Sequence, residues 1–155
     1  MITAADYFMG RDRQYVDEMT DEIRTAAAET IARTNMLLSL FHVDNPRSER
    51  VNSGWRPASV NAATPLASKT SNHLTGRAVD LDDDDAALAE WCMDHIDMLV
   101  HCGLWMEHPG WTPGWVHLQI LPPRSHYSVR VFIPSASPPK RLAFGTTPVI
   151  RDATV

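Results

Sequence analysis

SNHLTGRAVDL, residues 71–81, contains a short strand and two candidate metal ligands. In "RAVDLD", residues 77–82, side chains alternate. Ala78, Asp80 and Asp82 therefore share one face, and Val79 and Leu81 the other. "GWVHLQIL", residues 114–121, reads the same way. Val116, Leu118 and Ile120 are on one face, with Trp115, His117, Gln119 and Leu121 opposite. The apolar faces belong against helices. The opposite faces then carry Asp80 and His117, and parity lets both point the same way, out of the core. His73 lies seven residues before Asp80, and Gly76 lets the intervening loop turn back.

Outward from these strands, the spacing of Ile23, Ala27, Ile31, Leu38 and Phe41 predicts a helix over about 20–41. Thr20 is placed as its N-cap, Asp21 and Glu22 suit its positive end, and Asn35 interrupts the stripe. Residues 1–16 read as an N-terminal arm with a turn near Gly10. Residues 51–76 read as a long Ser/Asn/Pro-rich loop, a length that marks functional loops. A second helix carries Leu88, Trp91, Cys92, His95, Ile96, Leu99 and Val100, begins near Asp84 and ends at Gly103. "LWMEH" at 104–108 and "SVRVFIP" at 128–134 read as further strands, and 135–155 as an extended tail. The expected fold class is α+β, a small, mainly antiparallel sheet with helices on one face.

The 155 residues fit one domain, and 44% hydrophobic content supports a packed core. A net charge of −5 and the lack of a Lys/Arg block disfavour a nucleic-acid groove and docking on an anionic membrane. No basic stretch followed by an apolar run opens the chain, so no secretory signal is read and synthesis in a cytosol is the default. Cys92 and Cys102 fall on one expected helix, about 15 Å apart at 1.5 Å per residue. That is too far for a disulfide, so both are expected as reduced, semi-buried thiols.

Two imidazoles and a carboxylate suit a catalytic zinc, which takes three protein ligands and keeps one position open. The residues alone leave other readings open. A lone histidine is commonly a surface or hydrogen-bonded residue, Asp80 could cap the next helix, and "DLDDDD" could be a solvated helix start or a calcium-like cluster.

"SNHLTGRAVDL" resembles the Ser-x-His-x-x-x-Gly-x-Ala-x-Asp signature of the zinc D-alanyl-D-alanine carboxypeptidase family, which includes phage-type peptidoglycan peptidases and has the hedgehog/DD-peptidase fold. "SGWRP" followed by "VNAA" resembles that family's upstream segment, and "GWVHLQ" its closing strand. The resemblance covers about residues 50–121. It implies a zinc ion held by His73, Asp80 and His117, Arg56 contacting the substrate or the oxyanion, and Ser71 shaping the substrate pocket. It implies a single zinc peptidase-like domain acting on the peptide stems of peptidoglycan. Such a protein would be a monomer or virion-associated, and would reach the wall after lysis or as part of a particle.

The pattern departs from the family at Gly114, where relatives place an acidic general base three positions before the last histidine. Glu107 is the expected substitute, because parity sets it with Trp105 and a turn through Pro109 and Gly110 brings it toward the metal. Asp82 and His108 are lesser candidates. Trp55, Trp111 and Trp115 are candidates for lining a groove or packing loops, with Trp115 assigned to substrate binding. Gln119 shares the face of His117 and could orient it. The alternative is a non-catalytic cell-wall-binding or structural virion module that keeps the fold.

Overall fold

The computed structural model describes residues 1–65, 67–124 and 127–134. In chain order, helices α1 (Ala4–Phe8), α2 (Arg11–Gln14) and α3 (Asp21–Phe41) precede strand β1 (Val51–Ser53) and helix α4 (Ala58–Ala63). Strand β2 (Ala78–Asp82), helices α5 (Ala87–Asp94) and α6 (Ile96–Cys102), and strands β3 (Trp105–Glu107), β4 (Trp115–Gln119), β5 (Tyr127–Ser128) and β6 (Val131–Phe132) follow. The six strands form one sheet in the order β1-β2-β4-β3-β6-β5. All neighbours are antiparallel except β3 and β6.

Val79 and Leu81 of β2, Met106 of β3, and Val116 and Leu118 of β4 are buried in one cluster with Leu37, Leu38 and Phe41 of α3, Leu88 and Cys92 of α5, and Leu99 of α6. The apolar face of the sheet is thus covered by helices, an α+β layer arrangement. Each fully buried Leu contributes about 1.5–3 kcal/mol by leaving water, so this face anchors the strands that bear the site. Thr20 caps α3, its hydroxyl accepting from Ile23 N at 3.2 Å.

Several local expectations change. Residues 1–16 are not an arm: Thr3 and Asp6 form a capping box on α1, and Tyr7 is fully buried. Asn35, which breaks the apolar stripe of α3, accepts from Ile2 N at 2.8 Å and donates to Ile2 O at 2.9 Å. It is a polar clasp for the start of the chain. The loop expected over 51–76 holds β1, α4 and a 3₁₀ turn over Asn72–Thr75. The second helix is two helices, broken at His95 (φ −124°, ψ 53°). There the His95 ring donates to Trp91 O at 2.8 Å and stacks on the indole at 4.5 Å, closing α5. The continuous helix assumed for the cysteine spacing is therefore absent, although Cys92 and Cys102 are both free and buried. The cap expected of Asp84 or a neighbour is Asp83, which accepts from Leu88 N and Ala89 N of α5 at 3.0 and 2.9 Å. The strand expected over 128–134 is a hairpin, because Arg130 adopts φ 68° between β5 and β6. The tail over 135–155 lies outside the described residues.

Candidate metal centre

Asp80 and His117 are register partners on antiparallel β2 and β4, so their side chains leave the sheet on the same face. His73 arrives from the 3₁₀ turn, whose end at Gly76 adopts φ 72°. A Cβ at Gly76 would also press on Ile23 O of α3 at 2.8 Å, so glycine serves both the left-handed turn and the close approach. Three atoms converge: His73 Nε2 to Asp80 Oδ1 at 3.2 Å, His73 Nε2 to His117 Nδ1 at 3.3 Å, and His117 Nδ1 to Asp80 Oδ1 at 2.7 Å. This face is not open to solvent as parity alone implied. His73, Asp80 and His117 are all buried.

The outer ring nitrogens fix the tautomers. His73 Nδ1 is 2.7 Å from Gly54 O, an acceptor only, so this nitrogen carries the proton and donates it. Gln119 Nε2 donates to Leu121 O at 2.7 Å, which turns Gln119 Oε1 toward His117 Nε2 at 3.2 Å. His117 Nε2 is therefore a donor as well. In the neutral rings, the two inward nitrogens are lone pairs facing a carboxylate oxygen. Three mutually repelling acceptors, two of them on rings held by an oriented partner, are the electronic arrangement of a cation site. Tetrahedral zinc with bonds of about 2.0–2.1 Å sets ligand atoms roughly 3.3 Å apart, so two of the three separations already fit.

Electrostatics favour that state for Asp80 and His73 and oppose it for His117. Burial pushes Asp80 up, but the two imidazoles outweigh it and hold the carboxyl well below the usual carboxylate range. Burial lowers His73, keeping its ring neutral. Burial also works against the charged form of His117, but its hydrogen bond and charge contact with Asp80 prevail and raise it. Ligation needs a carboxylate and two neutral rings, so a bound cation would displace the proton that Asp80 favours on His117.

No protein-family model, curated protein or solved structure matches this chain. The chemistry of the centre therefore rests on its own residues.

Glu107 stands on the same face as His117. Trp105 pairs with Gln119 and Met106 with Leu118, and one further step of that register sets Glu107 beside His117. Burial raises its carboxyl, His117 draws it back, and Asp80 raises it further. The other two base candidates are committed elsewhere. Asp82 pairs with Arg50 at 2.9 Å and accepts from Asn52 at 3.3 Å. His108 Nδ1 accepts from Gly110 N at 3.0 Å. Gly114 adopts φ 80°, a conformation that disfavours any side chain, acidic or not, at that position.

A cleft of about 310 Å³ opens beside Asp80 and is lined by Arg56, Trp115, Arg11, Asn52, Ser53 and Thr64. Arg56 N donates to His73 O at 3.0 Å, tying this arginine to a ligand's own backbone. Ser71 is not among the lining residues. Its hydroxyl accepts from His73 N at 3.3 Å and from Arg56 Nη2 at 3.2 Å, so it shapes the cleft through both neighbours. Trp55 is buried and packs the loop instead of lining the cleft. Sequence reading missed Arg11, which sat in the supposed arm, and Gly54, whose carbonyl orients His73. The signal for Gly54 was a glycine directly before the buried Trp55, where the backbone passes against Tyr7.

Proposed function

We propose that this protein is a zinc-dependent peptidase that hydrolyses an amide bond in the peptide stems of bacterial peptidoglycan. The observation that carries this reading is the buried convergence of His73 Nε2, Asp80 Oδ1 and His117 Nδ1, with both outer N–H groups already engaged. Beside it stand the resemblance of residues 50–121 to the zinc D-alanyl-D-alanine carboxypeptidases and the sheet-and-helix architecture, read here as hedgehog/DD-peptidase-like.

His73, Asp80 and His117 would hold zinc, which supplies Lewis acidity beside the cleft. Glu107 takes a proton from the attacking water and returns it to the leaving amine. A carboxyl raised by burial suits that exchange, because its two protonation states are closer in energy at neutral pH. Arg56, which lines the cleft beside Asp80, contacts the substrate. Trp115 offers an apolar wall for the stem. Access to the wall follows lysis or incorporation in a phage particle. No helix among the described residues is long and apolar enough to cross a membrane.

A second reading, a non-catalytic wall-binding or virion module, rests on Gly114. One experiment separates the two. Zinc is quantified in purified protein, and purified muropeptides are digested with and without chelator and analysed by mass spectrometry. Stoichiometric zinc with cleavage that chelator abolishes and zinc restores is the expected result. Wall binding with no cleavage supports the module. A metal-free protein that still cleaves, or full activity in His117→Ala, refutes the peptidase reading.

A further inference from the structure

We propose that Arg11 and Arg56 form a two-guanidinium seat for a free α-carboxylate on the substrate residue whose amine leaves. Arg11 would thus be a specificity-determining residue contributed by the N-terminal segment. This rests on the peptidase reading above and narrows it to stems bearing that carboxylate next to the bond cut.

Position comes first. Arg11 Nη1 donates to Trp55 O at 2.9 Å, and Arg56 is the next residue along the chain. Arg56 in turn is bonded to the backbone of His73. Both guanidiniums therefore hang from the segment that orients a metal ligand, and both line the cleft with Asp80.

Charge comes second. Among the described residues, no carboxylate is in ion-pair contact with either arginine. Asp80, the anion nearest the cleft, is committed to the two histidines. Both cations line the same cleft. Placing like charges together in a half-buried cleft is unfavourable unless an anion joins them.

Donor inventory comes third. Arg56 Nε is buried and has no hydrogen-bond partner. Its Nη2 reaches only a neutral hydroxyl, Ser71 Oγ. Arg11 spends one donor on a backbone carbonyl. The planar forks retain donors that match a carboxylate in a bidentate manner, and a carboxamide cannot satisfy two cations. A carboxypeptidase substrate carries such a group at its terminus. An L-Ala–D-Glu bond joined onward through the γ-carboxyl carries it too, on the α-carbon beside the leaving amine.

The test uses the zinc-loaded full chain and two probes, N-acetyl-D-alanyl-D-alanine and N-acetyl-L-alanyl-D-glutamate γ-methylamide, each also prepared as the α-carboxamide. Affinity is read by NMR titration and cleavage by mass spectrometry. One carboxylate probe should bind about 10- to 100-fold more tightly than its carboxamide, since hydrogen bonds to charged groups are worth that much. Which probe shows this identifies the stem position. In Arg11→Gln the preference should shrink to a few-fold, and Arg11→Lys should restore part of it, with folding checked by circular dichroism. Equal affinity for acid and amide, no millimolar binding of either acid, or an undiminished preference in Arg11→Gln would overturn the seat. The wild-type comparison decides even if a variant fails to fold. A carboxylate preference without cleavage leaves the seat standing and refutes the peptidase. Cleavage of acid and amide alike does the reverse.

Discussion

Asp80 and His117 are direct partners across β2 and β4, and Asp80 Oδ1 lies 2.7 Å from His117 Nδ1. The pair is built into the sheet register itself, so two of the three candidate ligands are preorganised by backbone hydrogen bonds and by the apolar core beneath. Only His73 depends on a turn. The ring of Phe132 stands edge-on to His117 at 6.1 Å, and Trp115 at 6.4 Å, which limits solvent around this ligand.

Gln119 should tune metal affinity without touching the ion. Its Oε1 accepts from His117 Nε2, and its own amide is pinned by Leu121 O. Gln119→Leu removes the acceptor and leaves the ring free to turn. Zinc affinity, measured by competition with a chromophoric chelator, should fall about 10- to 100-fold. An unchanged affinity would mean that the ring orientation is set by packing alone.

Glu107→Gln should retain zinc and lose turnover by about 10²–10⁴-fold, the usual contribution of a positioned proton carrier. The pH profile carries a second signature. Burial raises the Glu107 carboxyl, so the protonated, non-basic form persists to higher pH than for an ordinary carboxylate. In the wild type kcat/KM should therefore rise with pH through an acid limb lying above the usual glutamate range. Any residual activity in Glu107→Gln should lack that limb. Wild-type turnover in this variant would remove Glu107 from the mechanism.

Gly54→Ala should damage both fold and site. A Cβ at residue 54 would fall onto the carbonyl of Tyr7, which belongs to a fully buried residue of α1. Backbone must shift, at a cost of about 1–3 kcal/mol. The same shift moves Gly54 O, the acceptor for His73 Nδ1. Thermal melts should show the lost stability, and zinc titration a weakened site. Intact zinc affinity in a destabilised variant would separate the two effects and discount Gly54 as an orienting group.

Arg47→Ala should be strongly destabilising. Arg47 binds Glu49 at 2.9 Å, Asp83 at 2.8 Å and Asp85 at 2.8 Å. The Glu49 and Asp83 side chains are only 1% exposed, so removing the guanidinium leaves one buried carboxylate to His42 and the other to the α5 N–H groups. Breaking a buried pair in this way costs about 3–5 kcal/mol. Because Asp83 also caps α5, chemical denaturation should show a lower midpoint, with loss of helical signal. A change under about 1 kcal/mol would place the network with ordinary surface pairs.

The sequence alone determined what is periodic or strictly local. Alternation in 77–82 and 114–121 placed Val79, Leu81, Val116 and Leu118 inward and set Asp80 and His117 on a common face. Helical spacing and Thr20 placed α3, because caps and side-chain periods act within a few residues. The family resemblance of 71–81 and 114–119 implied three donors, and the fold brings them together. Tertiary structure decided the rest. Alternation does not say what covers a sheet face, so the burial of Asp80 and His117 was invisible. The break at His95 comes from its own ring bonding and stacking on Trp91, which an apolar stripe does not reveal. Arg11 and Trp55 O are 44 residues apart, and His73 and Gly54 O are 19 apart. Those contacts exist only because α1 and the loop after β1 dock against the sheet, where burial of Tyr7 and Trp55 offsets the entropy of closing long loops.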